Sequence, residues 1–234
     1  MGNVNFTIRD LSHFAMLDMT YNKMRHIQAN HDKLRTKCKG SGMCCQLGLQ
    51  IPILECANIA FHIKREFYLR MERYGIEEGE KWYQSIIDNL ISRMYDNDWS
   101  ADGHASMPCV FYDNGCTVYE YRPYVCRAYG TIVTVDSFCP RERLANGGVD
   151  IFSGEAIKDM VNEFDSIVYQ YNQDHQEESF VVYMPLGILK FLLPDEAMRK
   201  LAEETDEKFW VGHPVYRTYF MERYADSQDA EKKS

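Results

Sequence analysis

Lys37-Cys38-Lys39-Gly40-Ser41-Gly42-Met43-Cys44-Cys45-Gln46 sets three cysteines within eight residues, on a stretch holding two glycines. A packed core has no use for neighbouring thiols beside Gly40 and Gly42. A metal centre has: thiolates are soft ligands for zinc and for iron–sulfur clusters. Glycine lets the backbone approach closely, so that N–H groups can point at sulfur. The stretch also breaks the helical pattern that precedes it, so it separates an N-terminal helix from everything that follows.

Working outward, Cys109, Cys116, Cys126 and Cys139 return in the middle of the chain, and the expectation is that all seven close on one metal site or on two neighbouring ones. The competing reading is thiols packed as small hydrophobes, and this is the reading for the eighth cysteine, Cys56. No positively charged start followed by an apolar run marks a signal peptide. The longest apolar stretch, around Met184 to Leu193, is broken by Pro185 and Lys190 and is too short to span a bilayer. The expected location is therefore cytoplasmic, where thiols stay reduced and a set of cysteines points to metal before disulfides. A net charge of -9 argues against binding to a phosphate backbone. With 234 residues the chain buries a sizeable core without metal, so a metal is not its sole source of folding.

The remaining pattern is mostly helical. Leu11, Phe14, Leu17, Tyr21, Met24 and Ile27 recur at steps of three and four, predicting an amphipathic helix over 8–36. A second helix is expected from Pro52 to Arg73, ended by Gly75, and a third over 77–95. The middle third changes character. Pro108 to Tyr119 reads as a β-hairpin about Asn114-Gly115, with a short helix from Val125 to Ala128 and a strand from Thr131 to Val135. Residues 154–172 read as helix, Phe180 to Tyr183 as a short strand or extended segment, and 185–206 as one or two helices split at Pro194. The fold class expected is mainly α with a small β-hairpin and an irregular cysteine-rich middle, a single α+β-type domain over 1–224. Its cysteine core is 37–141, and 225–234 is a disordered, charged tail.

Neither the closely set cysteines of a bacterial ferredoxin nor paired CxxC knuckles appear. The pattern Cys38-x-x-Ser41-x-x-Cys44-Cys45, then Pro108-Cys109, Cys116, Tyr119, Arg122-Pro123-Tyr124-Val125-Cys126-Arg127-Ala128-Tyr129 and Cys139-Pro140, resembles the YkgJ-like cysteine-cluster proteins, zinc- or iron-chelating domains known by a CxxCxxCC signature. The resemblance covers about residues 37–141. Ser41 departs from it, standing where the family has a cysteine. Relatives of that family include flagellin lysine N-methylases with an iron–sulfur cluster, so the resemblance implies protein methylation as one activity and another protein as substrate or partner.

Physical limits apply to seven thiols. One zinc or one [4Fe–4S] cluster takes four. Adjacent Cys44 and Cys45 point poorly at one ion but can bind separate irons of a cluster. In a regular hairpin Cys109 and Cys116 would share a face yet lie ~13 Å apart, four residues at ~3.3 Å each. Either the hairpin bends, or the two serve different centres, or one is structural. Arg122 and Arg127 bracket Cys126; guanidinium groups beside a thiolate cluster would offset its negative charge and donate to sulfur. Pairing with surface carboxylates is the plain alternative. His104, just before Pro108-Cys109, is the histidine best placed to join the site, whereas His13, His26 and His31 read as surface or core histidines. Three functions follow: a binding protein holding an iron–sulfur cluster, [4Fe–4S] first and zinc or iron second; an enzyme with the cluster as cofactor; or an interaction protein with structural zinc.

Overall fold

The computed structural model describes residues 6–30, 49–95, 109–113, 115–128, 155–177, 181–205 and 218. The expected strand at 131–135, His31, His104, Cys38, Cys44, Cys45, Cys139 and the tail at 225–234 lie outside the described residues.

Helix α1 spans Ile8–Asn30. Its start is a reciprocal cap. The Thr7 hydroxyl accepts the Asp10 N–H at 3.2 Å, while the Asp10 carboxylate accepts the Thr7 N–H at 2.6 Å and the Thr7 hydroxyl at 2.7 Å. Phe14, Leu17, Tyr21 and Met24 face inward as the periodicity requires. Leu11 does not; it is 42 % exposed, and Asp10 and His13 take the buried side of that turn instead. The reason is electrostatic. Helix α5 (Glu155–His175) offers Asp174 to His13 at 2.9 Å and His175 to Asp10 at 2.8 Å, so two paired polar contacts replace an apolar one.

Strand β1 (Gln50–Pro52) runs directly into α2 (Ile53–Tyr74), and strand β2 (Val181–Tyr183) directly into α6 (Met184–Leu192). The strands pair antiparallel, Gln50 with Tyr183, Ile51 with Val182 and Pro52 with Val181, and Met184 N–H adds a bond to Leu49 O at 2.9 Å. Pro52 cannot donate to the ladder, and it closes the strand at the position where α2 starts. The two helices leave the ladder together and pack closely. Gly187 makes this possible: a Cβ there would stand 2.6 Å from Val182 Cγ1 and closer still to Cys56 Sγ. Cys56 is thus a buried packing residue, as its isolation in sequence suggests.

Gly75, at φ 95°, ends α2 and donates its N–H to Met71 O at 3.0 Å. Helix α3 (Ile76–Tyr95) then packs back on α2 and α6, burying Ile87, Leu90 and Met94. Helix α7 (Asp195–Glu204) follows Pro194 and buries Met198 and Ala202. The fold is mainly α with one small antiparallel sheet, as expected. That sheet joins two distant segments, however, and is not the expected hairpin. Where that hairpin was expected, the described residues form one isolated antiparallel bridge, Tyr112 with Cys116, beside a bond from Thr117 N–H to Phe111 O at 2.8 Å. Tyr112 N–H donates to Cys109 O at 2.8 Å, so the chain turns where a strand was expected. Phe111 and Val118 are both drawn into the core from this turn. Among the described residues no helix is long and apolar enough to cross a membrane.

The close approach at Gly187 yields a test. Gly187→Ala is expected to destabilise the chain by about 1–3 kcal/mol in urea unfolding. Cys56→Ala in the same chain should recover part of that loss. A double variant no better than the sum of its parts would contradict the contact.

Candidate metal centre

The cysteine segment descends from the Tyr112–Cys116 bridge through a 3-10 turn at Tyr119–Tyr121 to the short helix α4 (Tyr124–Ala128). The segment is held to the helical frame at several points. Tyr121 stacks on His62 of α2 with ring centroids 4.3 Å apart, and Tyr124 stacks on Phe164 of α5 at 4.4 Å. Arg25 of α1 reaches Glu120 at 3.3 Å, though both are exposed and the pair adds little.

The strongest tie is polar and buried. Glu55, in the first turn of α2, is 2 % exposed. Its Oε1 accepts the Tyr124 backbone N–H at 2.5 Å and the Tyr21 hydroxyl of α1. Arg127 closes the other side. Its guanidinium lies 4.1 Å from the Tyr21 ring centroid, its Nε donates to Arg122 O at 2.8 Å, and its terminal nitrogen donates to Glu120 O. Burial pushes the Glu55 carboxyl up to about 7, against the pull of its Tyr21 and Tyr124 hydrogen bonds and of the Arg127 charge. Burial, then the Glu55 charge, pushes the Tyr21 phenol well above its ordinary value; Arg127 opposes this and the Cys126 sulfur adds to it.

Cys109, Cys116 and Cys126 are half-buried on this segment, within reach of solvent, whereas Cys56 is fully enclosed. Burial pushes the Cys56 thiol well up, which keeps it protonated and unsuited to ligate metal. The bend at Cys109–Tyr112 removes the straight-strand geometry that would hold Cys109 and Cys116 far apart. Among the described residues no three His, Cys, Asp or Glu side chains converge as a metal cage. The other four cysteines of the expected set lie outside those residues. Arg122 covers the Tyr119 ring at 3.8 Å, and its Nε is buried with no hydrogen-bond partner among the described residues. A buried guanidinium N–H with no partner among the described residues, four positions before Cys126 in sequence, would fit an anionic, thiolate-rich group. Arg127 by contrast is engaged by backbone carbonyls and the Tyr21 ring.

Sequence reasoning singled out neither Glu55 nor Tyr21 as part of the site. The signal for Glu55 was present: it is the one charged residue within Ile51-Pro52-Ile53-Leu54-Glu55-Cys56-Ala57-Asn58-Ile59-Ala60, every member of which is buried. His13, read as a surface or core histidine, is buried, with Asp174 as its partner.

Residues 37–140 match the CxxCxxCC family model, whose description is "Putative zinc- or iron-chelating domain". No curated protein and no solved structure matches the chain.

The pH dependence of stability reads Glu55 directly. Its folded value lies above the ordinary 4.5, so its contribution is fully present below that pH and is lost as pH rises through about 7. Glu55→Gln removes this titration. Relative to that variant, the parent chain should lose on the order of 3 kcal/mol between about pH 4.5 and pH 8, measured by urea unfolding without metal. Parallel curves for the two proteins would remove Glu55 as the titrating group.

Proposed function

We propose that this chain binds an iron–sulfur cluster, [4Fe–4S] in form, through four of Cys38, Cys44, Cys45, Cys109, Cys116, Cys126 and Cys139, with zinc or mononuclear iron as the alternative occupant. The observation that carries the reading is the division among the cysteines of the matched region. Cys56 is sealed in the core, while Cys109, Cys116 and Cys126 stand half-open on an irregular segment. The vicinal Cys44-Cys45 pair favours a cluster over a single ion, because its two sulfurs suit separate irons. Such a group supplies either electron transfer or an iron for binding substrate. The chain's own residues supply the surroundings. Arg122 and Arg127 offset the charge of gathered thiolates, and the aromatic packing of Tyr121 and Tyr124 keeps the segment seated on α2 and α5. The thiols must stay reduced, so the compartment we propose is the cytoplasm; the resemblance to the cysteine-cluster proteins adds another protein as the proposed substrate or partner.

Anaerobic purification followed by iron, sulfide and zinc analysis tests this. The expected outcome is a brown protein with about four irons and four acid-labile sulfides per chain. Cys45→Ser and Cys126→Ser should each lose most of that content. A colourless protein with one zinc per chain selects the alternative occupant, and full metal content in both variants overturns the ligand set.

A further inference from the structure

We propose that Glu55 is the positioning residue for Cys126, a buried carboxylate clamp that sets the direction of α4. The inference deepens the metal reading above and rests on it. Helix α4 has five residues, too few to be stable by itself, so its orientation is set by tertiary ties. Its first backbone N–H, that of Tyr124, ends on Glu55 Oε1, and the same oxygen takes the Tyr21 hydroxyl. One carboxylate oxygen therefore joins α1, α2 and α4 at a single point. Cys126 sits two residues beyond that point, less than one helical turn away. The place and direction of its Cα–Cβ bond therefore follow the tilt of α4, and rotation about χ1 moves the sulfur only around that bond. Arg127, the next residue, lies over the Tyr21 ring and closes the loop onto the Glu120 and Arg122 carbonyls, so the clamp grips α4 from both ends.

A role confined to core stability accounts poorly for this arrangement. Glu55 Oε2 is buried with no hydrogen-bond partner among the described residues, and an enclosed carboxylate costs free energy that an apolar side chain of similar size would not. What the carboxylate supplies, and an apolar residue cannot, is a strong acceptor at the leading N–H of the helix that bears a ligand. The division of labour then becomes clear. The cysteines gather the metal, and Glu55 with Tyr21 holds one of them in register with the helical frame.

The test uses the full chain and two readouts. The first is the rate at which iodoacetamide alkylates each cysteine of the metal-free protein, mapped by mass spectrometry. The second is the rate at which a chelator strips iron from the anaerobically loaded protein. In Glu55→Ala, Cys126 should react about tenfold faster, with Cys109 and Cys116 changed less than about twofold and Cys56 still protected; iron should be stripped about 10–100-fold faster. Glu55→Gln should restore both rates to within about threefold, because its amide oxygen accepts the same two hydrogen bonds. Tyr21→Phe, which removes one donor and keeps the ring beneath Arg127, should raise Cys126 labelling by about twofold to fivefold and serves if Glu55→Ala does not fold. Unchanged Cys126 labelling in Tyr21→Phe and Glu55→Ala, or a Gln variant as reactive as the Ala variant, overturns the clamp. Loss of Cys56 protection together with the rest assigns Glu55 to the core alone and equally overturns it. The expected labelling in a parent chain that takes up no metal supports the clamp and sinks the metal reading; normal metal with unchanged labelling does the reverse.

Discussion

Three residues of backbone pairing hold the architecture together. Gln50–Pro52 and Val181–Tyr183 come from distant parts of the chain, and each passes without a loop into a helix. Because strand and helix are continuous, fixing the ladder also fixes where α2 and α6 begin and the direction in which they leave. The consequence is a run of ten buried residues from Ile51 to Ala60, apolar except for Glu55 and Asn58. Two strands alone would be marginal. Here they are stabilised by the helices they launch, and the helices are aligned by the strands.

On this rigid frame the cysteine segment is an appendage with specific attachments. Apolar anchors, Phe111 and Val118, hold its first half. Stacked rings and a buried carboxylate hold its second. The polar groups beneath it differ in kind from those joining α1 to α5. There, buried Asp10 and His13 each pair with a more exposed partner, His175 and Asp174. Under the cysteine segment, one carboxylate, one phenol and one guanidinium share an enclosed space in which each alters the others' ionisation. A low-dielectric environment makes such groups effective at orienting what they touch and costly to disturb.

Most of the helical frame was legible in the sequence because periodicity, proline and glycine carry it locally. The ends of α2 at Pro52 and Gly75, and the break between α6 and α7 at Pro194, lie where those residues put them. What escaped was everything set by contacts across the chain. Strand β1 has only three residues, one of them proline, and no local pattern could have named Val181–Tyr183 as its partner. The Asn114-Gly115 signal located the chain reversal but not its extent: among the described residues the ladder is one bridge, Tyr112 with Cys116, because the chain turns at Cys109–Tyr112. Leu11 was placed on the inner face by spacing alone, but pairing between α1 and α5 gave that face to Asp10 and His13. The cysteines themselves announce a metal chemistry, and the residues that orient Cys126 do not, because a glutamate and a tyrosine acquire that role only when three helices meet.

The ladder also divides the cysteines by chain topology. By pairing residue 52 with residue 181 it closes the intervening chain into a loop, and Cys109, Cys116 and Cys126 lie inside that loop while Cys38, Cys44 and Cys45 precede it. A group bound by both sets would stitch the outside of the loop to its inside. Closing the long loop costs chain entropy whether or not metal is present, and the apolar core offsets that cost. Little of the closure is left for a metal to supply. On the metal reading proposed above, loading and release would act on a chain whose frame is already held by its apolar core.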